Sequence, residues 1–355
     1  MSGRKEQKAV SIRDVATLAG VSPSTVSRYV NKSAYVAPDK EEKIRDAIQL
    51  LGYSPNPIAQ ALVNQHTYSI AVLSSNTVLY GQAQTIAGIE AAARAAGYTI
   101  SIGVLTGTTR KEIQDDIQAS LAQRPAGIII LNYDKIGHTA LSLIDGSLPV
   151  TVIAGERTPE YAQVSLEERQ GGYEATRYLL SLGHKNVVHI AIPGEPSNDT
   201  RLAGWRQACE EAGAAMSTPI SAPWDPEQAR EIGRNLPSGT TAVFAGNDEI
   251  AMGVIRGLKD SGRAVPQDVS VVGFDDNPLG RIWDPSLTTI RQNFYEAGCA
   301  AAELLRQQIE PQDVDGTAGK VPESFHATQE KEIPPASDYR RITGQLIVRE
   351  SAQAI

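Results

Sequence analysis

Two hydrophobic rhythms divide the chain. From about residue 10 to 52 the apolar positions recur at helical spacing, and no run reads as a strand. From Tyr68 onward strand and helix patterns alternate. The runs Ser69–Ser74, Thr99–Leu105, Gly127–Leu131, Val150–Ala154, Val187–Ile192, Ala242–Ala245 and Val269–Phe274 are short and rich in Val and Ile, as strands buried on both faces must be. Between several of them lie amphipathic stretches of helix length, such as Gln82–Ala96, Gly171–Leu182 and Glu249–Asp260. This alternation predicts right-handed βαβ units and parallel sheets covered by helices, with enough chain for two such lobes. The intervening 53–67 reads as a linker whose middle has room for a short helix. Ligands of such sheets sit beyond the carboxyl ends of the strands, so the residues closing each run are the candidates for a site.

Within the helical head, Val15, Ala16, Leu18 and Ala19 give one helix its apolar side. Gly20 supplies the positive φ that ends a helix, and Val21 can plug the turn. Ser22 is a suitable N-cap and Pro23 a suitable first helical residue, where a missing N–H costs nothing. A second helix follows with Val26 and Val30 inward, leaving Ser24, Thr25, Ser27, Arg28 and Asn31 on its outer face. Helix, short glycine turn, helix is the geometry that lays a second helix in the DNA major groove. Small hydroxyl side chains permit close approach there, and Arg28 suits a guanine edge or a phosphate.

Charge adds a second line. Through Ser33 six Lys/Arg face two acids, a net +4, so the rest of this −8 chain carries −12. A basic head on an acidic body suits a DNA-binding module attached to something else. Other classes recede. No apolar run approaches the ~20 residues of a membrane span, and the polar start Met1–Lys8 lacks the apolar core of a secretory signal, so cytoplasmic, nucleoid-associated residence is expected. Cys209 and Cys299 form no CxxC motif and read as small core residues. There is no P-loop, GxSxG, GxGxxG or HExxH, and the five histidines are scattered, His184 and His189 flanking a strand start. Neither catalysis, metal nor cofactor is expected.

The strings Asp14-Val-Ala, Ala19-Gly-Val-Ser, Thr25-Val-Ser-Arg and Val30-Asn31, followed by Leu51-Gly-Tyr-Ser-Pro-Asn56 and Ala59-Gln-Ala-Leu62, resemble the LacI/GalR repressor family. The resemblance continues through Asp199–Trp205, Gly246–Gly253, Asp268–Asp276 and Leu287–Phe294. It implies a third helix over Lys40–Leu51 and a hinge helix over Pro57–Asn64. It also implies DNA contacts from Ile12, Pro23, Ser24, Thr25, Ser27, Arg28, Asn31, Tyr35, Tyr53, Asn56, Ala59 and Leu62, with Leu62 as the apolar wedge a dimer inserts in the minor groove.

For the core, the resemblance implies a periplasmic-binding-protein-like body with an effector site built from Ser75, Leu79, Arg201, Trp224, Asn247, Asp275, Gln292 and Phe294. That chemistry suits a saccharide. A guanidinium fork, an amide and a carboxylate match paired hydroxyls, and Trp224 and Phe294 offer apolar surface for a sugar ring's C–H face. Asp248 and Asp276 read as caps or structural acceptors. One departure stands out: after Val150–Ala154 the chain reads Gly155-Glu-Arg-Thr-Pro159, without the aspartate that lactose-responsive members carry there, and Glu156 is shifted from that position.

The resulting expectation is an all-α helix-turn-helix head over 1–55, a hinge over 56–67, and an α/β core of two parallel-sheet lobes over 68–355. Lobe one would take about 68–166 and 295–325, lobe two 167–294 and 326–355. Function follows as a repressor released from a palindromic operator by a sugar. Residues 341–355 lack a leucine heptad, so a homodimer rather than a tetramer is expected. A nucleobase corepressor or a phosphoprotein partner would use the same fold; a sugar-binding protein without regulatory role would not need the head.

Overall fold

The computed structural model describes residues 10–31, 35–53, 67–154, 157, 159–193, 200–310 and 338–355. Internal contacts divide the chain after Tyr68 into two units.

The first unit is helical: α1 (Ile12–Ala19), α2 (Pro23–Asn31) and α3 (Pro38–Leu51). Ser11 begins α1, its backbone N–H donating to Asp14 Oδ2 at 2.8 Å, which satisfies one of the donors every helix start leaves over. Gly20 takes φ +66°, and the Val21 N–H then closes back on the Ala16 carbonyl at 3.0 Å. Ser22 Oγ accepts the Thr25 N–H at 3.2 Å and starts α2. Val15, Ala16, Ala19, Val26, Val36, Ile44 and Ala47 form the buried core, with Val21 and Val30 packed at its margin. Leu18 differs from expectation: it is 51% exposed. In a helix of eight residues, Val15, Ala16 and Ala19 already fill the inward stripe, and Leu18 falls outside it.

The second unit holds two six-stranded sheets. The first contains β1 (Ser69–Ser74), β2 (Thr99–Val104), β3 (Gly127–Asn132), β4 (Val150–Ala154), β5 (Ala162–Ser165) and β11 (Tyr339–Arg341), in the order β11-β5-β4-β3-β1-β2 and parallel throughout. The second contains β6 (Val188–Ala191), β7 (Ile220–Ser221), β8 (Ala242–Ala245), β9 (Ser270–Asp275), β10 (Thr288–Arg291) and β12 (Gln345–Ile347), in the order β12-β10-β9-β8-β6-β7. Only β12 runs antiparallel, against β10. Both sheets therefore reverse their strand order once, between β1 and β3 and between β6 and β8, which is where a doubly wound sheet opens a crevice for ligand.

Helices α4 (Tyr80–Ala95), α5 (Arg110–Leu121), α6 (Lys135–Leu141) and α12 (Phe294–Ile309) accompany the first sheet. With the second go α7 (Glu168–Ser181), α8 (Arg201–Glu211), α9 (Pro226–Arg234), α10 (Asp248–Asp260) and α11 (Pro278–Ile282). The chain passes between lobes three times, over 165–168, 291–294 and 341–345. The third passage revises the expected boundary: Tyr339–Arg341 pairs with β5 in the first lobe, so the second lobe does not take everything after 326. The strand is only three residues long and Arg-rich, so no apolar run announces it.

In the second lobe the aromatic core is layered. His189 stacks on Phe244 at 4.7 Å and on Trp205 at 5.7 Å between centroids, and the Trp205 indole N–H donates to the Val187 carbonyl at 2.9 Å. In the first lobe, α4 and α12 touch backbone to backbone. A Cβ on Gly88 would lie 2.0 Å from the Tyr295 carbonyl oxygen, and one on Gly298 would lie 2.1 Å from that of Thr85. Gly88→Ala should therefore destabilise the core by about 1–3 kcal/mol through overpacking, overriding the gain of up to ~1 kcal/mol that alanine brings to an unhindered helix. A lower urea midpoint at unchanged slope is the expected reading; a raised midpoint would contradict this packing.

Candidate DNA-reading helix and effector cleft

On α2, Pro23, Ser24 and Arg28 are exposed, while Thr25 and Ser27 are half-buried. The hydroxyls of Ser24 and Thr25 each lie 2.8 Å from Ser22 Oγ, so the helix start is knit together before any partner arrives. Tyr35 is exposed, whereas Ile12 and Tyr53 pack at the margin of the head's core. The side chain of Asn31 and the whole of Asn56, Ala59, Leu62 and the expected hinge helix lie outside the described residues, as do Gly155 and Glu156.

In the core, a cleft of about 390 Å³ of empty space, its open mouth included, is lined by Leu79, Tyr80, Gly81, Gln82, Tyr133, Glu168, Ile192, Arg201, Trp224, Asn247, Glu249, Asp275 and Phe294. These residues lie at or after the ends of β1, β3, β5, β6, β7, β8, β9 and β10 or open the helices beyond them. The fold thus gathers six of the residues that the family resemblance implied, Leu79, Arg201, Trp224, Asn247, Asp275 and Phe294, on one wall set. It does not gather Ser75, whose hydroxyl donates to Asp134, or Gln292, which is buried with neither amide atom hydrogen-bonded. Neither lines the cleft.

The polar residues differ in what they have left to offer. Asn247 caps α10, its Oδ1 accepting the Ile250 N–H at 2.8 Å, so the amide NH₂ is its remaining group for a ligand. Arg201 is buried: it donates to Glu168 Oε1 at 2.9 Å and to the Gly246 carbonyl, and its guanidinium lies 4.1 Å from the Phe274 ring centroid. The fork expected to hold a sugar is thus already engaged by protein. Asp275 sits 3.6 Å from Arg201 Nη2, beyond hydrogen-bond reach, and its Oδ1 has no hydrogen-bond partner. Burial raises its carboxyl well above the usual range; Asp248, Glu249 and Glu168 add to this and Arg201 opposes it. On the apolar side, the Phe294 ring meets Tyr80 and Tyr133 edge-on at 6.2 and 6.4 Å, and Tyr133 shares a 3.0 Å hydrogen bond with Thr85.

Tyr80, Gly81, Gln82, Tyr133, Ile192, Glu168 and Glu249 were not expected. Tyr133 and Ile192 follow strand ends, so the strand-end rule could have found them. Glu168 opens α7 after β5, a strand that the apolar pattern does not announce, so the rule had no strand end to apply there. No group of three or more His, Cys, Asp or Glu among the described residues could hold a metal ion, and no described helix is long and apolar enough to cross a membrane.

Behind the cleft, Asp248 is fully buried and accepts the Asn277 N–H and the Thr289 hydroxyl, each at 2.6 Å. Burial pushes its carboxyl up to about 8, against these hydrogen bonds and with help from Glu249 and Asp276. A carboxyl held above its unfolded value gives stability that is complete in acid and is lost as pH rises through about 8. Asp248→Asn reproduces the protonated form, its amide able to donate to Thr289 and accept from Asn277. The variant should hold its melting temperature between pH 6 and 8.5 while the natural chain loses stability there. Parallel melting curves would refute the assignment.

A helix-turn-helix head joined to a two-lobed α/β core with a strand-end cleft defines a DNA-binding transcription regulator. Comparison with known proteins gives the family. The model for bacterial regulatory proteins of the lacI family matches residues 11–56, and that for a periplasmic binding protein-like domain matches 176–351. The HTH-type transcriptional regulator GalS of Salmonella typhimurium strain LT2 is 35% identical over 310 residues, covering 84% of this chain and 89% of that protein. The HTH-type transcriptional repressor PurR of Erwinia tasmaniensis is 30% identical over 343 residues, covering 93% and 99%. In structure, the Lac repressor dimer bound to operator and the anti-inducer ONPF superposes with a TM-score of 0.79 at 26% identity, covering 98% and 100%. The chain belongs to the lacI family of bacterial transcription regulators and stands among regulators, not enzymes.

Proposed function

We propose that the protein is a cytoplasmic, homodimeric repressor that a saccharide releases from a palindromic operator. The carrying observation is the cleft: Asp275 brings a carboxyl oxygen that accepts no hydrogen bond, 3.6 Å from Arg201, into one lining with Asn247, Trp224, Tyr80 and Phe294. Paired hydroxyls need such acceptors and donors, and the C–H face of a sugar ring needs such aromatic surface. Two copies would supply the two heads that a palindrome requires.

On the DNA side, Arg28, Ser24, Thr25 and Ser27 would meet base edges and phosphates, with Pro23, Asn31 and Tyr35 at the border of the contact. Ile12 and Tyr53 would support the head from its core margin, and Asn56, Ala59 and Leu62 would act at the operator centre. Sugar binding would stabilise a core state that holds operator more weakly, and the coupling can be no larger than the sugar's differential affinity for the two states.

An operator selected from random duplex DNA allows the test. Arg28→Ala should weaken operator binding about tenfold, the worth of one good base or phosphate contact, at unchanged ligand affinity. Asp275→Ala should leave operator affinity intact and abolish release by mono- and disaccharides. Release or tightening by purines with indifference to every sugar would replace the saccharide reading with the corepressor one.

A further inference from the structure

The end of β9 leaves strand geometry at two consecutive residues that are not glycine: Asp275 has φ +111° and Asp276 φ +57°. Such backbone persists only where its surroundings over-determine it. For Asp275 those surroundings are sparse, with no hydrogen bond to its Oδ1 and its nearest basic partner, Arg201, at 3.6 Å. For Asp276 they are dense. Its carboxylate is almost fully buried and is met by three arginines from three places: Arg281 of α11 at 3.0 Å, Arg291 at the end of β10 at 2.7 Å, and Arg349, beyond β12, at 2.5 Å. Arg349 also donates to the Leu287 carbonyl at 2.6 Å, which ties the C-terminal segment to β10. The backbone is held as well, the Asn277 N–H by Asp248 at 2.6 Å and the Asp276 N–H by Thr289 at 3.4 Å.

We propose that Asp276, clamped by Arg281, Arg291 and Arg349, is the positioning residue that aims Asp275 into the cleft, so that the C-terminal segment governs effector affinity without touching effector. None of these four lines the cleft. The charges support a fixed clamp: burial alone would favour a protonated Asp276, yet the arginines hold its carboxyl below its ordinary value and keep it ionised. Arg281 and Arg291 are about half exposed, whereas Arg349 is 15% exposed in its side chain and is the most enclosed of the three. Removing one partner from such a node leaves the others to neutralise Asp276 but loosens the turn that sets the direction of Asp275. The consequence for effector affinity rests on reading the cleft as the effector site; the aiming of Asp275 does not.

The test uses the full chain with Arg349→Gln, Arg349→Lys and Asp276→Asn. Hydrogen exchange on the unliganded protein should accelerate about tenfold or more at the amides of Asp276 and Asn277 in Arg349→Gln and Asp276→Asn, and stay unchanged at β1 and β6, with Arg349→Lys recovering part of the protection. Galactose, glucose, lactose and cellobiose serve as probes. For whichever of them binds the natural chain, the half-saturating concentration should rise about tenfold or more in the same two variants, because a loosely held contact group loses most of its worth, while operator affinity stays fixed.

Unchanged exchange at 276–277 overturns the proposal, as does exchange that rises throughout the second sheet, which would mark a general folding role. Local loosening with unaltered sugar affinity also overturns it. If none of the four sugars binds the natural chain, the sugar arm gives no support to the saccharide reading, and exchange still decides whether the clamp fixes the turn after Asp275.

Discussion

Parallel strands must all start from the same edge of their sheet, and this constraint governs the molecule. Each return to that edge requires a helix, each helix must lie on a face, and the strands under it become buried on both sides. The ends of the parallel strands and the starts of the helices that follow them then fall on one side of each lobe. Groups as remote in sequence as Leu79, Tyr133, Asn247 and Phe294 meet there with no local signal that they should. The same constraint fixes what those groups can do, because a residue opening a helix is drawn into capping it. Asn247 shows this directly, having one amide atom committed to α10 and the other left over.

Four carboxylates lie close together where β9 ends and α10 begins, and burial forces a different settlement on each. Asp276 stays ionised because three guanidinium groups converge on it. Asp248, with hydrogen-bond donors but no cation on it, is pushed toward its neutral form. Glu249 is half-buried and accepts from the Asn277 amide. Asp275 is displaced from Arg201 by Glu168, which takes the closer position on the guanidinium. A buried polar atom without a hydrogen bond is expensive, and Glu249 and Asp275 are the two of the four that line the cleft, each with an oxygen whose missing hydrogen bond a ligand could supply.

Much of this was legible in the sequence, for identifiable reasons. Six of the seven apolar runs are central strands, and central parallel strands have no polar face to blur the signal; the seventh, β2, is an edge strand whose Ile102 and Val104 are exposed, against the expectation of burial on both faces. The strands that escaped notice, β5, β7, β10, β11 and β12, are two to four residues long and read Ala-Gln-Val-Ser, Ile-Ser, Thr-Thr-Ile-Arg, Tyr-Arg-Arg and Gln-Leu-Ile. They depend on the pairing of their neighbours, not on their own composition. At the candidate site, the family resemblance supplied the six lining residues and strand-end position independently pointed to Asn247 and Asp275, but the sequence could not say which donors were already taken. Arg201 is engaged by Glu168 and Gly246, and Ser75 by Asp134, through contacts 33, 45 and 59 residues apart. Such pairings follow from topology and leave no trace in local pattern.

The three passages between lobes also bear on how the chain is made. The first sheet has five of its strands once Ser165 has been synthesised, but the helix that covers its core, Phe294–Ile309, and its sixth strand, Tyr339–Arg341, come only after nearly all of the second lobe. At ribosomal speeds of ~5–20 residues per second, the nascent first lobe waits on the order of ten seconds with Ile70, Val72, Ile129 and Ile153 covered on that face by α4 without α12. Neither lobe is a contiguous segment able to finish on its own. The core must therefore complete both lobes nearly together, and the exposed interval is one in which a chaperone would find this chain.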